Sequence, residues 1–543
     1  MTASPEPPGH ARLGGVAFHH PLAFWLGVAA VTLGVLLHLP MVWMGRHNGY
    51  RLVGMAMDDG MLWGMAAIGV GLCASLYGLL PDPRPPAAEA CSPPRIQAMD
   101  DAPLGPAHIG LLLTMAVAIT IDIMKPTALA FVVPGMTVEY NLKSPLNPGG
   151  TYPAALLALA GISGTVLGSI LWGWLGDRMG RRASILYAGI NFIATSICGA
   201  MPDFFWNLGM CFLMGLGVGG MLPIAYALLA ETMPARHRGW LMVLVGADVA
   251  GAYILTSWLA TEWVPVYSWR ILWLMGLPTG VVFILLNRWI PESPRFLMAH
   301  GRHDEALAVM RRYGARVVPA TADPPGVAAT PPSPWRTLVE PPHLGATLVV
   351  TSLGLGCGLV LFGFNLWMPT NLRKLGFVEA DALLRDAALI GFPLTFVVAW
   401  LYGFWSSKKT MLLLAVLTAA ALAGFVLAGD RIVHNRPLLI ALLVAPIWGI
   451  NSVIAVLSVY SAEVYPTEVR AKGVGLCAGA CKAGGVLIIA MVCLQVAPPT
   501  LAVVALIGAV AMALAVLALA RFGVETRHRS LESIAAQRPV VVS

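Results

Sequence analysis

Apolar runs separated by short polar stretches fill most of the chain, and roughly 20 mostly apolar residues suffice for a helix to cross a bilayer. Fourteen such runs are legible. The first two cover 21–45 and 60–80. Twelve follow near 107–134, 152–175, 183–202, 206–230, 238–260 and 268–290, then 343–370, 387–405, 410–429, 437–460, 472–496 and 499–521. A polar, Pro-rich stretch, 81–106, separates the first pair from the rest. A second polar stretch, 291–342, holds Pro324, Pro325, Pro331, Pro332 and Pro334 and reads as a linker. The expected organisation is therefore an N-terminal transmembrane hairpin (1–80), a linker (81–106), a six-helix half (107–290), a cytoplasmic linker (291–342), a second six-helix half (343–521) and a cytoplasmic tail (522–543). The first run has too long an apolar core, and no small-residue cleavage site, to be a signal peptide; it reads as an anchor.

Composition supports an all-α membrane protein. Of 543 residues, 58% are hydrophobic and only 11% charged, against about 25% charged in soluble domains. A single soluble core stops growing near ~250–300 residues and could not hide this much apolar surface. Disordered, disulfide-stapled and collagenous chains are excluded as well. Cys73, Cys198, Cys211, Cys357, Cys477, Cys481 and Cys493 fall inside apolar runs at no metal-binding or disulfide spacing. The net charge of +7 does not point to nucleic acid, because its Lys and Arg sit in short loops. Arg178, Arg181, Arg182, Arg236, Arg238, Arg295, Arg302, Lys408, Lys409, Arg470 and Lys472 share one side if the twelve spans alternate, and that side is the cytoplasm. Both termini then lie there. Arg373, Lys374, Arg431 and Arg436 on the opposite side dilute the contrast.

The most specific motif is Gly173-Trp174-Leu175-Gly176-Asp177-Arg178-Met179-Gly180-Arg181-Arg182. Gly173 permits close helix approach, and Asp177 stands before a helix start, where an acid is favoured. Further pieces are Glu231 with Arg236 and Arg238; Pro291-Glu292-Ser293-Pro294-Arg295; the amphipathic pattern from Gly301; Glu463 through Arg470; and Val524-Glu525-Thr526. Together they resemble the major facilitator superfamily, in its sugar-porter and organic-ion (aromatic-acid:proton symporter-like) branch, over about 107–535. The resemblance implies a twelve-helix bundle of six plus six, here with an extra N-terminal hairpin. It also implies that Gly173, Asp177, Arg178, Gly180, Arg181, Arg182, Glu231, Arg236, Arg238, Glu292, Arg295, Glu463, Arg470 and Glu525 form a cytoplasmic gate of bridges made and broken as the halves rock. The second-half copy of the Asp-Arg loop departs from the family, reading Ser406-Ser407-Lys408-Lys409 with no acid. Fourteen-helix drug exporters of the superfamily carry their extra pair between the halves, and the fifth span, 238–260, lacks the Gly-Pro pattern of antiporters; both argue against drug efflux.

An ionisable residue at bilayer depth costs at least ~2.5 kcal/mol and is functional by default. Asp122, Lys125, Asp248 and Lys482 qualify, two acids and two bases. Asp122 and Lys125, three apart, share a helix face beside Pro126. They form either a proton-coupling pair, in which protonating Asp122 frees Lys125 for an anion, or a pair that only neutralises itself. Lys482 stands among small residues, Gly475 to Gly485. In organic-ion relatives a cation occupies the matching place, which favours carboxylate substrates; pairing with Asp248 or Asp122 is the alternative. Cys211 stands where sugar porters have an arginine, and the seventh span of the twelve lacks their glutamines, which weakens a sugar assignment. Asn365, Trp367 and Asn451 are candidate cavity contacts or plain packing residues.

The Gly215–Gly220 glycines lack a preceding strand and read as helix packing. His19-His20 is too sparse for a metal, and no nucleophile-base motif appears, so an enzyme is not expected. Neither a metal nor a cofactor is expected; the proton is the expected coupling ion. The reading is a multi-pass carrier in the inner or plasma membrane, surrounded by lipid, that moves a small organic solute, a carboxylate, by proton-coupled alternating access. The alternatives are a sugar or polyol porter and a transporter-derived sensor or assembly subunit.

Overall fold

A computed structural model gives the structure and describes residues 11–13, 16–81, 99, 102–247, 249–315, 335–341, 343–429, 432, 435–465, 467–496 and 499–526. Among the described residues fourteen helices are long and apolar enough to cross a membrane. They are α1 (Pro21–Asn48), α2 (Asp59–Leu79), α3 (Pro106–Glu139), α4 (Ala155–Gly176), α5 (Arg181–Ala200), α6 (Phe204–Leu229), α7 (Arg236–Tyr267) and α8 (Ile271–Trp289). Two short helices, α9 (Pro294–Ala299) and α10 (His303–Arg312), follow. The remaining spans are α11 (Leu344–Lys374), α12 (Ala380–Trp405), α13 (Ser407–Ala428), α14 (Arg436–Val464), α15 (Lys472–Cys493) and α16 (Leu501–Phe522).

All fourteen apolar runs are therefore helices, and three boundaries differ by five residues or more. α7 ends at Tyr267 rather than 260, with Pro265 accommodated inside it. α3 runs five residues past the expected 134 because Pro134 is accommodated inside it. α12 starts at Ala380 rather than 387; Asp381, Arg385 and Asp386 lower the local hydropathy, but each charge has a partner. A small antiparallel ribbon, β1 (Ala11–Leu13) and β2 (Val16–Phe18), precedes α1 and carries no repeating signal in the sequence.

Three spans begin on a side chain that accepts from the free backbone N–H groups of the first turn. Asp58 accepts from Met61 N, Asp203 from Phe205 N and Trp206 N, and Ser406 from Lys409 N. The helix in the middle of the chain is amphipathic as expected: α10 buries Ala306 and Met310 and leaves its arginines outside.

The chain forms two compact units. The first contains residues 1–122, 167–236 and 273–323. Here α1 and α2 meet backbone to backbone. A Cβ on Gly34 would lie 2.5 Å from Gly64 O, and one on Gly27 2.6 Å from Gly71 O. The four glycines are spaced by seven along their helices, so they form one seam. The seam closes the hairpin, and the hairpin lies on α5, where Tyr187 OH donates to Leu72 O at 3.3 Å. Gly217 and Gly220 of α6 pack on Asn191 and Trp172, the packing role expected of that glycine run.

The second unit contains residues 123–166, 237–272 and 324–543. It includes α11 to α16 together with parts of α3, α4 and α7. Three of its spans carry a wider π-helical turn, at Val360–Asn365, Leu401–Trp405 and Ala445–Gly449. Such turns free backbone groups and often mark functional positions. Two of them are tied together, because Asn365 Nδ2 donates to Pro446 O at 3.1 Å.

Candidate functional site

The loop motifs build two carboxylate cradles of the same design, one in each unit. In the first, the backbone N–H groups at the start of α5 point at Glu292: Arg181 N lies 2.8 Å from Oε1 and Arg182 N 3.2 Å from Oε2. A helix N-terminus offers such unpaired donors with a favourable dipole. Gly180 reaches this turn with φ +92, and a Cβ there would meet the Glu292 carboxylate. The next residue, Ser293, donates its hydroxyl to Glu231 at the end of α6, and Arg181 reaches the same acid at 3.8 Å. Asn287 and Arg288 O accept from the Arg182 guanidinium.

In the second unit, Glu525 takes the place of Glu292. It accepts from Ser407 N at 2.9 Å and Ser407 Oγ at 2.6 Å at the start of α13, and from Ser406 Oγ. Thr526 then donates to Glu463 Oε2 at 2.7 Å, as Ser293 does to Glu231, and Tyr402 OH donates to the same oxygen at 2.7 Å. An acid followed by a hydroxyl residue thus closes each six-span half, anchoring the third helix and the end of the fourth. The second-half loop lost its acid without losing this arrangement: the serines that replaced the motif supply hydroxyl donors instead.

Burial makes Glu292 harder to ionise, so its carboxyl sits above the usual range despite three backbone donors that pull it down. Arg178 stacks on Trp174 at 4.5 Å, Lys409 on Trp405 at 5.8 Å and Arg521 on Phe522 at 5.6 Å. All three are basic residues beside an aromatic at a span end, the arrangement expected at a membrane–water boundary. Gly173 is exposed and a Cβ there would meet nothing within 4 Å, so it does not serve the close helix approach expected of it; Arg236 and Arg295 are exposed, and Arg238 is half-buried. The side chains of Asp177 and Arg470 and the whole of Asp248 lie outside the described residues.

The described candidate residues within the spans are buried, Lys482 excepted. Asp122 is 3% exposed and Lys125 2% exposed, both on α3. Lys482 of α15 is half-buried, with Nζ 3.5 Å from Thr165 O of α4. Asn365 and Trp367 are buried, and their Oδ1 and Nε1 atoms have no hydrogen-bond partner among the described residues. A polar atom left this way costs about 1–3 kcal/mol, and both atoms are unmet in the structure. Asn451 instead spends its amide on Ile447 O at 2.7 Å, within its own helix. Cys211 is buried and meets Asn207 Oδ1 at 3.8 Å.

Sequence reading missed a second set of charges, at the opposite span ends. Arg270 is fully buried and pairs with Glu139 at 2.6 Å; Arg373 pairs with Asp381 at 2.6 Å. Their signal was the spacing of charges across apolar runs: each lies at a span end, where one sequence cannot tell a loop charge from a buried one.

The family model described as "Sugar (and other) transporter" matches residues 130–537. The niacin transporter of Acinetobacter baylyi is 26% identical over 402 residues, 72% of this chain and 88% of its own length. A putative metabolite transport protein of Escherichia coli is 29% identical over 388 residues, 68% of this chain and 83% of its own length. The fold is similar to that of the major facilitator superfamily proton:xylose symporter, with a TM-score of 0.62 at 17% identity over 80% of this chain and 99% of that one. These relatives are transporters, and the hairpin α1–α2 lies outside the matched residues.

Proposed function

Because the chain belongs to the sugar (and other) transporter family of the major facilitator superfamily, an integral multi-pass membrane protein that moves small solutes, we propose that its solute is a small organic carboxylate taken up with a proton. Alternating access supplies the mechanism, with both termini in the cytoplasm. The observation that carries the reading is the set of charges within the spans: Asp122 and Lys125, buried on one face of α3, and Lys482, half-buried on α15. In this mechanism Asp122 takes the proton. Its neutralisation releases Lys125 from an opposing charge, and Lys125 and Lys482 attract the carboxylate. Asn365 and Trp367 supply an acceptor and a donor that orient the rest of the solute, since each holds an unmet polar atom.

A relative named for niacin transport supports an aromatic carboxylate as the first probe. The test is nicotinate uptake into proteoliposomes holding the purified protein. Acidifying the outside should speed entry, and Asp122→Asn should remove that response. Uptake indifferent to an inward proton gradient would overturn the coupling, and competition by neutral polyols but not carboxylates would favour a sugar porter. That second reading is supported by the fold of the xylose symporter and by the amide of Asn365.

A further inference from the structure

The polar contacts of the second unit at the ends of α3, α7 and α15 and the start of α12 fall into two kinds. By alternation of the spans these ends share one side, the side opposite the Glu525 cradle. Two pairs join residues of the same six-span half. Glu139–Arg270 and Arg373–Asp381 are each 2.6 Å long, and the acid of each pair is at most 9% exposed. Two other pairs join residues of different halves. Arg385 of α12 reaches Glu262 of α7 at 4.0 Å, with the acid 54% exposed. Lys143, just after α3, donates to Gln495 Oε1, just after α15, at 3.0 Å.

The crossing pairs are built to come apart. Solvent-exposed ion pairs are weak and screened by salt. Arg385 also donates to Asp386 on its own helix at 2.9 Å. Its charge therefore stays compensated when Glu262 leaves. Beneath them, Tyr253 of α7 packs on Phe131 at 5.5 Å, and Asp381 of α12 lies within electrostatic reach of its hydroxyl. Tyr253 OH and Asp381 Oδ1 are both buried with no hydrogen-bond partner among the described residues. Water admitted between α7 and α12 would satisfy both, so separation relieves a cost that contact imposes.

We propose that Glu262–Arg385 and Lys143–Gln495 form a reversible clasp that closes the outer end of the carrier, while Glu139–Arg270 and Arg373–Asp381 are fixed pins within each half. The proposal rests on the alternating-access reading. Hydrogen–deuterium exchange of the full-length protein in lipid nanodiscs tests it without any solute. Glu262→Gln should speed exchange at 140–154 and 256–267 about two- to fivefold, the equivalent of losing one exposed pair. Glu262→Lys, which opposes Arg385 with a like charge, should speed it further. Gln495→Glu gives Lys143 a charged partner and should slow exchange in the same segments. Segments 290–300 should not change in any variant, a readout that also flags general misfolding. Unaltered exchange in Glu262→Gln, or no slowing in Gln495→Glu, would overturn the clasp. Failure of nicotinate counterflow by the unmodified protein would instead count against the transport reading and leave the exchange result standing.

Discussion

Arg270, immediately before α8, donates from Nη2 to Glu139 Oε1 at the end of α3 over 2.6 Å, while Trp269 Nε1 donates to the other carboxylate oxygen at 2.8 Å. The guanidinium also lies 4.5 Å from the Trp269 ring. A buried charge held by an acid, itself held by Trp269, and by an aromatic face is a structural pin, because removing one partner strands the other. Glu139→Ala should therefore cost about 3–5 kcal/mol of stability. The thermal unfolding midpoint in detergent reads this; an unchanged midpoint would contradict the pin.

Glu292 gives a pH dependence whose sign follows from burial. Its folded carboxyl ionises above the ordinary value of 4.5, chiefly because burial penalises the charge. The folded state therefore binds more protons than the unfolded state in the window that opens at 4.5 and closes at the raised value. Stability contributed by this group is full below that window and falls as pH rises through it. Glu292→Gln keeps an acceptor for Arg181 N and should flatten the fall. Unfolding midpoints measured across that window in both proteins make the comparison.

The hairpin seam allows a paired test within α1 and α2. A side chain at Gly34 would overlap the Gly64 carbonyl, whereas a Cβ at Gly69 meets nothing within 4 Å. Gly34→Leu should destabilise the hairpin by about 1–3 kcal/mol through overpacking. Gly69→Ala should be neutral or gain up to ~1 kcal/mol from helix propensity. Limited proteolysis in the 49–58 turn separates the two: faster cleavage is expected only for Gly34→Leu.

Lys482 is the cation whose loss should matter to a carboxylate and not to the fold. Lys482→Met keeps the length and removes the charge. Affinity for nicotinate in counterflow should drop about 10- to 150-fold, the range set by a hydrogen bond to a charged group. A neutral solute, if carried, should be affected far less. Equal losses for both would assign Lys482 to structure.

The cradles show how far motif reading reaches. Glu231, Glu292, Glu463 and Glu525 stand in the motifs that carry the family resemblance, and they lie where the third and fourth helices of each half are tied. The role of Ser406 and Ser407 was not legible. A pair of serines in a loop has no pattern of its own, and only the fold brings the Glu525 carboxylate to their hydroxyls. Likewise, Asp381 and Arg385 fall between the apolar runs 343–370 and 387–405, because hydropathy averages over a window and cannot see an ion-pair partner.

What the sequence determined is the number of spans and their helical state. A backbone in hydrocarbon must satisfy its own hydrogen bonds, so each run of about 20 apolar residues has one solution. The same rule made charges inside those runs stand out at Asp122, Lys125 and Lys482. What only the tertiary structure decided is which charges meet. Glu139 and Arg270 are 131 positions apart, and Glu262 and Arg385 lie in different halves of the repeat. Apolar periodicity fixes where a helix lies along the chain. It does not fix which face turns to which neighbour, because that depends on side-chain packing between helices that share the same greasy composition.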